Sequence, residues 1–192
     1  MLVIIKRGKG VACMEITELV PEMLGKIDLS PQPRPIVGRF YPSLSRGKWG
    51  YEEEWFPAPA GEAVSPPLSQ DSLEQYAQGG DLALFLAKEG DACLGYIALE
   101  KDFMGWAYVE ILEVAAAHRG KSVGTALIQK AVRWAKKLGA AGLRLEAQDS
   151  NLMACRFYLK QGFQIGGVNT LRYHTLPAPK NQEAAVFFYL LF

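Results

Sequence analysis

The sequence has few cysteines, few histidines, no excess charge of either sign and no long apolar run. Cys13, Cys93 and Cys155 are the only cysteines in 192 residues, and their spacing pairs none of them. An odd, unpaired set argues against a disulfide framework and against a structural zinc site, so the expectation is a reducing cytoplasm and no metal. Lys plus Arg number 21 against 20 for Asp plus Glu. That balance leaves no electrostatic footprint for nucleic acid or an anionic membrane surface. Leu2–Ile5 is too short, and its charges fall on the wrong side, for a secretory leader. No run approaches the length that spans a bilayer, so no membrane partner is expected.

Two phosphate-binding signatures are missing as well. Gly120-Lys121-Ser122 looks like the end of a P-loop, but Ala115 stands where that motif needs its first glycine. No Gly-x-Gly-x-x-Gly fingerprint occurs there either. What is present is a run of strand type, Glu110-Ile111-Leu112-Glu113-Val114, then a turn holding Gly120, then a helical period. Apolar residues at Val123, Leu127, Ala131, Trp134 and Leu138 define one helix face, and Gly139 is its stop. Such a turn leaves the first helical amides without partners at the positive end of the helix. The reading is an anion cradle suited to a diphosphate.

About half of the residues are apolar, enough for one core, so a single domain over residues 1–192 is expected, with 1–10 flexible. Ile36–Tyr41 and Lys48–Phe56 read as two strands joined through Pro42–Gly47. Trp49, Tyr51, Glu53 and Trp55 fall at period two on the second strand, hence on one face if it is regular. Residues 71–78 suit a short helix capped by Ser69 or Asp71. Residues 82–87, 93–99 and 106–114 form a meander. A strand at 143–147, a helix at 152–160 and closing strands from Phe163 and Ala185 complete an α/β (α+β) pattern. The expected fold is one mixed, mostly antiparallel sheet of about six or seven strands with helices on both faces.

The turn Arg119-x-x-Ser122-x-Gly124 resembles the pyrophosphate signature Arg/Gln-x-x-Gly-x-Gly/Ala of the GNAT superfamily of acetyl-CoA-dependent N-acetyltransferases, with Ser122 in place of the first glycine. Ala154-Cys155-Arg156-Phe157-Tyr158, running on to Gly162-Phe163, resembles that superfamily's second signature. Together they mark 82–166 as the acetyl-CoA-binding core. Leu145–Tyr158, the ending Ala185–Leu190 and the hairpin with Gly38, Trp49, Tyr51 and Glu53 are similar to the streptothricin acetyltransferases, which modify an amine of a β-lysine arm. The acidic insertion that some of those enzymes carry near residues 57–70 is lacking, and Ile111 stands where an acidic residue often follows the strand glutamate.

The resemblance implies acetyl-CoA as cosubstrate, a small-molecule amine as acceptor, and room for a homodimer. An amine of lysine-like pKa is neutral in roughly one molecule in 2,500 at pH 7, a cost of about 4.6 kcal/mol, so a base, a desolvating pocket, or both must help. Glu110 is the candidate base and Tyr158 the candidate acid for the departing thiolate. Backbone groups of Leu112, Glu113 and Val114 would align the pantetheine arm and polarise the carbonyl. Arg119, Gly120, Lys121, Ser122, Val123, Gly124 and Thr125 would hold the diphosphate. Asn151 either contacts the pantetheine or caps its helix. Trp49, Tyr51, Glu53, Glu110 and Asp149 are candidates for the cationic acceptor, through aromatic faces and carboxylates. Plain strand, turn and edge roles for the same residues remain alternatives. No cysteine or serine is placed as a nucleophile, which points to direct transfer in a ternary complex. Protein or peptide acetylation, or a non-catalytic acyl-CoA-binding module, are the competing readings.

Overall fold

The computed structural model describes residues 2–7 and 10–192, with side chains from Met14 onward. In chain order the elements are β1 (Leu2–Arg7), β2 (Gly10–Glu18), β3 (Arg34–Pro35), β4 (Gly38–Ser45), β5 (Lys48–Trp55), β6 (Glu62–Ala63), α1 (Gln70–Gln78), β7 (Leu82–Glu89), β8 (Ala92–Lys101), β9 (Ala107–Val114), α2 (Val123–Lys137), β10 (Gly142–Gln148), α3 (Leu152–Lys160), β11 (Gln164–Asn169) and β12 (Ala185–Leu191). Of the N-terminal segment expected to be flexible, residues 1, 8 and 9 lie outside the described residues, and Leu2–Arg7 is a strand paired with β2. The chain, expected from its length to be one domain, divides into two compact units, residues 1–33 with 64–143 and residues 34–63 with 144–192.

The first unit is an antiparallel succession β1-β2-β7-β8-β9. Residues 82–87 of β7 are an unbroken apolar run because both faces of the strand are covered. Leu84 and Leu86 face a cluster with Leu19, Tyr76, Ala77, Tyr96 and Ala98. Phe85 lies on the other face, where the Lys130 ammonium of α2 sits 4.5 Å from its ring centre. Of the apolar stripe that predicts α2, Val123, Leu127 and Ala131 are each at most 1% exposed, as is Ala135 beside it, while Trp134 and Leu138 are partly buried. α1 begins with the Ser69 side chain accepting from the Ser72 amide at 3.1 Å. Gly79, with φ of +76°, ends it.

The second unit joins β10, β12 and β11 in that order with α3, and carries the β4–β5 ribbon. The ribbon turns through Arg46 and Gly47, whose φ values of 49° and 77° are the left-handed pair that a two-residue hairpin loop requires. The loop expected at Pro42–Gly47 is therefore shorter, and Pro42 lies inside β4, opposite Tyr51. A two-stranded ribbon leaves one edge of each strand unpaired, so a residue without an amide proton is tolerated there. Gly38 is fixed by close approach. A Cβ there would lie 2.1 Å from the Glu54 carbonyl oxygen and 2.7 Å from a Leu152 methyl. Phe40, Phe188, Tyr158 and Phe163 form the aromatic centre of this unit.

Candidate active site

Glu110 sits on β9 at a break in the ladder. Ala98 of β8 pairs with Ile111, and the next residue, Leu99, pairs with Val109. Glu110 is therefore the extra residue of a β-bulge, and its side chain is exposed. The strict alternation that would place it with Leu112 and Val114 fails at this point. Its carboxylate instead accepts a hydrogen bond from the Tyr76 hydroxyl of α1. Tyr76 is 3% exposed and belongs to the cluster with Tyr96 and Ala98, so the bulge turns Glu110 toward the α1 face. Burial first, then the Glu110 carboxylate, push the Tyr76 phenol well above its ordinary range, so it stays a donor. Ile111 is partly buried against the same cluster, which gives this apolar residue a packing role.

Beyond the bulge the pairing is regular again. Leu112, Glu113 and Val114 face Ile97, Tyr96 and Gly95. Glu113 is half-buried, accepts from Ser65 Oγ at 3.4 Å and pairs with Arg119 at 3.3 Å. Burial pushes its carboxyl up, opposed first by Arg119. With Gln32, Cys93 and Tyr96 it lines a cavity of about 280 Å³ in this unit.

Arg119 does not extend into solvent. Its guanidinium donates to the carbonyls of Val114 at 3.0 Å, Pro33 at 2.8 Å and Gln32 at 3.1 Å as well as to Glu113. Lys121 Nζ donates to the Ala117 carbonyl at 2.6 Å. Both cations of the turn are thus engaged with the protein. Gly120 has φ of +72°, and among the described residues other than its chain neighbours none comes within 4 Å of where its Cβ would be. Ser122, the residue before α2, takes φ 64° and ψ 5°, the conformation glycine adopts without strain. Its side chain makes no capping bond, and the first helical bond runs from the Ala126 amide to the Ser122 carbonyl at 3.0 Å. The amides of Val123, Gly124 and Thr125 therefore open the helix uncapped, with Val123 anchored in the core. A turn without a side-chain cap at the positive end of a helix fits a diphosphate. His118 is half-buried, and its Nδ1 has no hydrogen-bond partner among the described residues.

In the second unit Tyr158 is 8% exposed, with ring centres of Phe157, Phe163 and Phe188 between 5.5 and 5.7 Å away. Asn151 caps α3, its Oδ1 accepting from the Ala154 amide at 3.4 Å. Asp149 is 5% exposed; it accepts from the Ala184 amide at 3.0 Å and lies 3.6 Å from Arg39. Burial pushes its carboxyl up, and the Ala184 amide is the first influence against that. Asp149 lines a cavity of about 370 Å³ with Tyr41, Thr170 and Glu183. On β5 the period-two face is real. Tyr51 stacks on Phe40 at 4.8 Å. Glu53 accepts from Trp55 Nε1 at 3.1 Å and pairs with Arg156 at 3.2 Å. Trp49 is half-buried at the far end, opposite Leu44.

Within the first unit the structure thus assembles Glu110, Leu112, Glu113 and Val114 on one strand that leads into the turn and α2. Within the second it places Asp149 and Asn151 just before α3, and Tyr158 in the last turn of α3 among Phe157, Phe163 and Phe188. Tyr76 and Arg39 were not singled out from the sequence. No sequence signal marks Tyr76, because its relation to Glu110 spans 34 positions.

A family profile described as Acetyltransferase (GNAT) family matches residues 49–163. The chain belongs to the GNAT acetyltransferase family. It is 37% identical over 162 residues to Streptothricin acetyltransferase A of Bacillus subtilis (strain 168), a match covering 84% of this chain and 90% of that protein. A Bacillus anthracis str. Ames protein, assigned as a streptothricin acetyltransferase and solved in complex with acetyl coenzyme A, superimposes with a TM-score of 0.85 at 30% identity. That match covers 93% of this chain and 99% of the other. A nourseothricin acetyltransferase shares the fold with a TM-score of 0.74 at 24% identity, over 93% of this chain and 98% of its own. The expected α/β architecture with helices on both sheet faces is the fold of this family.

Proposed function

We propose that this acetyltransferase carries acetyl from acetyl-CoA to a primary amine of a small cationic molecule, with the β-lysine amine of a streptothricin as the acceptor. The observation that carries this reading is the near full-length match to Streptothricin acetyltransferase A, 90% of whose length is covered at 37% identity. Acetyl-CoA supplies an activated acyl group as a thioester. Uncapped amides of Val123, Gly124 and Thr125, with the open turn at Gly120, support a diphosphate-binding role for the start of α2. Arg119, Lys121 and Ser122 serve that turn by shaping it.

The acceptor reacts as the free amine. Glu110 takes the amine proton, directly or through water, as the new C–N bond forms and the C–S bond breaks. Backbone groups of Leu112, Glu113 and Val114 orient the acyl carrier, and Tyr158 returns a proton to the leaving thiolate. Asn151 holds its helix in place by capping it. Asp149 and Glu183 in the second unit's cavity, with Trp49, Tyr51 and Glu53 on the ribbon, supply carboxylates and aromatic faces for the cationic arm. Transfer is direct, without an acetyl-enzyme, and the setting is the cytoplasm.

Thiol release from acetyl-CoA is the test, with streptothricin, lysine, polyamines and peptides as acceptors. Streptothricin is expected to give the highest kcat/KM. Preferential acetylation of peptide termini or lysines would establish the protein-acetylating alternative, and isolation of an acetylated enzyme that turns over would refute direct transfer.

A further inference from the structure

We infer that Tyr76 is a positioning residue of the acetyl transfer, its hydroxyl fixing the Glu110 carboxylate so that one oxygen stays free for the acceptor's proton; this rests on the reading of Glu110 as the base. Three observations lead there. First, a bulge residue has no cross-strand partner, so the pleat does not aim its side chain. An exposed glutamate on such a residue is free to sample several rotamers, and a base that wanders loses the advantage of proximity.

Second, the group that meets it is among the best-anchored in the unit. Tyr76 is 3% exposed, packed with Leu84, Leu86, Tyr96 and Ala98, on a helix capped by Ser69 and stopped by Gly79. Third, the bond engages only Glu110 Oε2. Oε1 has no hydrogen bond to any described residue, so the contact orients the carboxylate without occupying both oxygens. A phenol held above its ordinary range by burial keeps its own proton, so Tyr76 orients the base and does not compete with it.

Tyr76→Phe keeps the ring that fills the cluster and removes only the donor. Rates are measured by thiol release with streptothricin and acetyl-CoA, alongside melting temperature and calorimetric titration with coenzyme A. The expected result is a fall in kcat of about tenfold with KM for acetyl-CoA and coenzyme A affinity unchanged. In an E110Q background Y76F is expected to lower kcat no further, because the two residues act through one carboxylate. Glu110→Asp leaves the core untouched and draws the carboxylate back by one methylene; it is expected to slow kcat comparably, and a full-rate E110D overturns the proposal.

Equal losses from Y76F in both backgrounds would make Tyr76 a purely structural residue and overturn it. E110Q slow with Y76F at full rate would defeat the positioning role while sparing the base. E110Q at full rate, or no turnover of streptothricin by the wild type, would defeat the reading beneath it.

Discussion

Removing the Arg119 guanidinium separates two roles open to an arginine at the head of a phosphate turn: binding the ligand, or building the turn. Its N–H groups reach the carbonyls of Val114, Pro33 and Gln32 between 2.8 and 3.1 Å, and Glu113 at 3.3 Å. Each bond to a carbonyl contributes about 1 kcal/mol net. Arg119 is 33% exposed and Glu113 12%, so the ion pair is partly screened and adds less than a buried pair would. Arg119→Ala also leaves the Glu113 carboxylate without the cation that opposes its burial. The total is about 2–4 kcal/mol, a large part of the stability of an ordinary domain. With a urea slope of about 2 kcal/mol/M, the unfolding midpoint should fall by roughly 1–2 M. Calorimetric titration of the folded variant with coenzyme A should show a loss of affinity of less than about tenfold, below 1.4 kcal/mol. Arg119→Lys should recover little, because one ammonium cannot reproduce a fork that spans four acceptors. Unchanged stability combined with a loss of coenzyme A affinity beyond about a hundredfold would refute the reasoning and return Arg119 to the ligand.

Three further perturbations follow from the same region. Gly95→Ala places a Cβ 2.5 Å from the Glu113 carbonyl and 3.3 Å from a Val123 methyl, so it should cost about 2–3 kcal/mol in chemical denaturation; a neutral variant would show that β9 and α2 yield there. Ser122→Gly removes a side chain that makes no cap and relieves a left-handed φ of 64°, worth about 1 kcal/mol against a smaller entropic loss. A melting temperature equal to or slightly above wild type is expected, and a clear drop would show that the serine does work unseen in the turn. Glu113 is held above its ordinary value near 4.5, so the native state keeps a proton that the unfolded chain gives up. Wild-type stability is therefore lost as pH rises from about 4.5 through the titration of native Glu113. Glu113→Gln cannot titrate, so its urea midpoint relative to wild type should improve between pH 4.5 and 7.5; a relative decline would refute the sign.

The elements that read clearly in the sequence are those whose pattern is local. α2 follows its helical apolar period to within a residue at each end, because Val123, Leu127 and Ala131 of that period lie on the face it buries. β7 was legible as an apolar run bounded by turn residues, and the Arg46-Gly47 turn lies within the stretch set aside for a loop. The two compact units were not legible, since each is assembled from stretches separated in the chain and neither stretch alone carries a core signal. Asn151 and Ser69 were legible as caps because capping chemistry acts across three residues.

Glu110 shows where that locality ends. Its place on a strand before the turn is a local fact, and the sequence carries it. Its direction is not local, because a single unpaired residue between the Ala98–Ile111 and Leu99–Val109 pairs reverses the alternation on which any parity argument stands. Nothing in Val109-Glu110-Ile111 announces the bulge: there is no glycine, and the residues on either side are ordinary strand formers. The bulge has a consequence for chemistry that a regular strand would not have. Regular pleating would aim Glu110 with Leu112, whose partner Ile97 is fully buried in the sheet, and an unpaired carboxylate there would be costly. With the extra residue, the carboxylate emerges exposed and meets the one buried donor that α1 offers, Tyr76. The exposure of Glu110 and its bond to Tyr76 both follow from one register shift, so straightening β9 by deleting one residue at the bulge would undo both at once, while leaving the turn at Gly120 and the cap-free start of α2 in place.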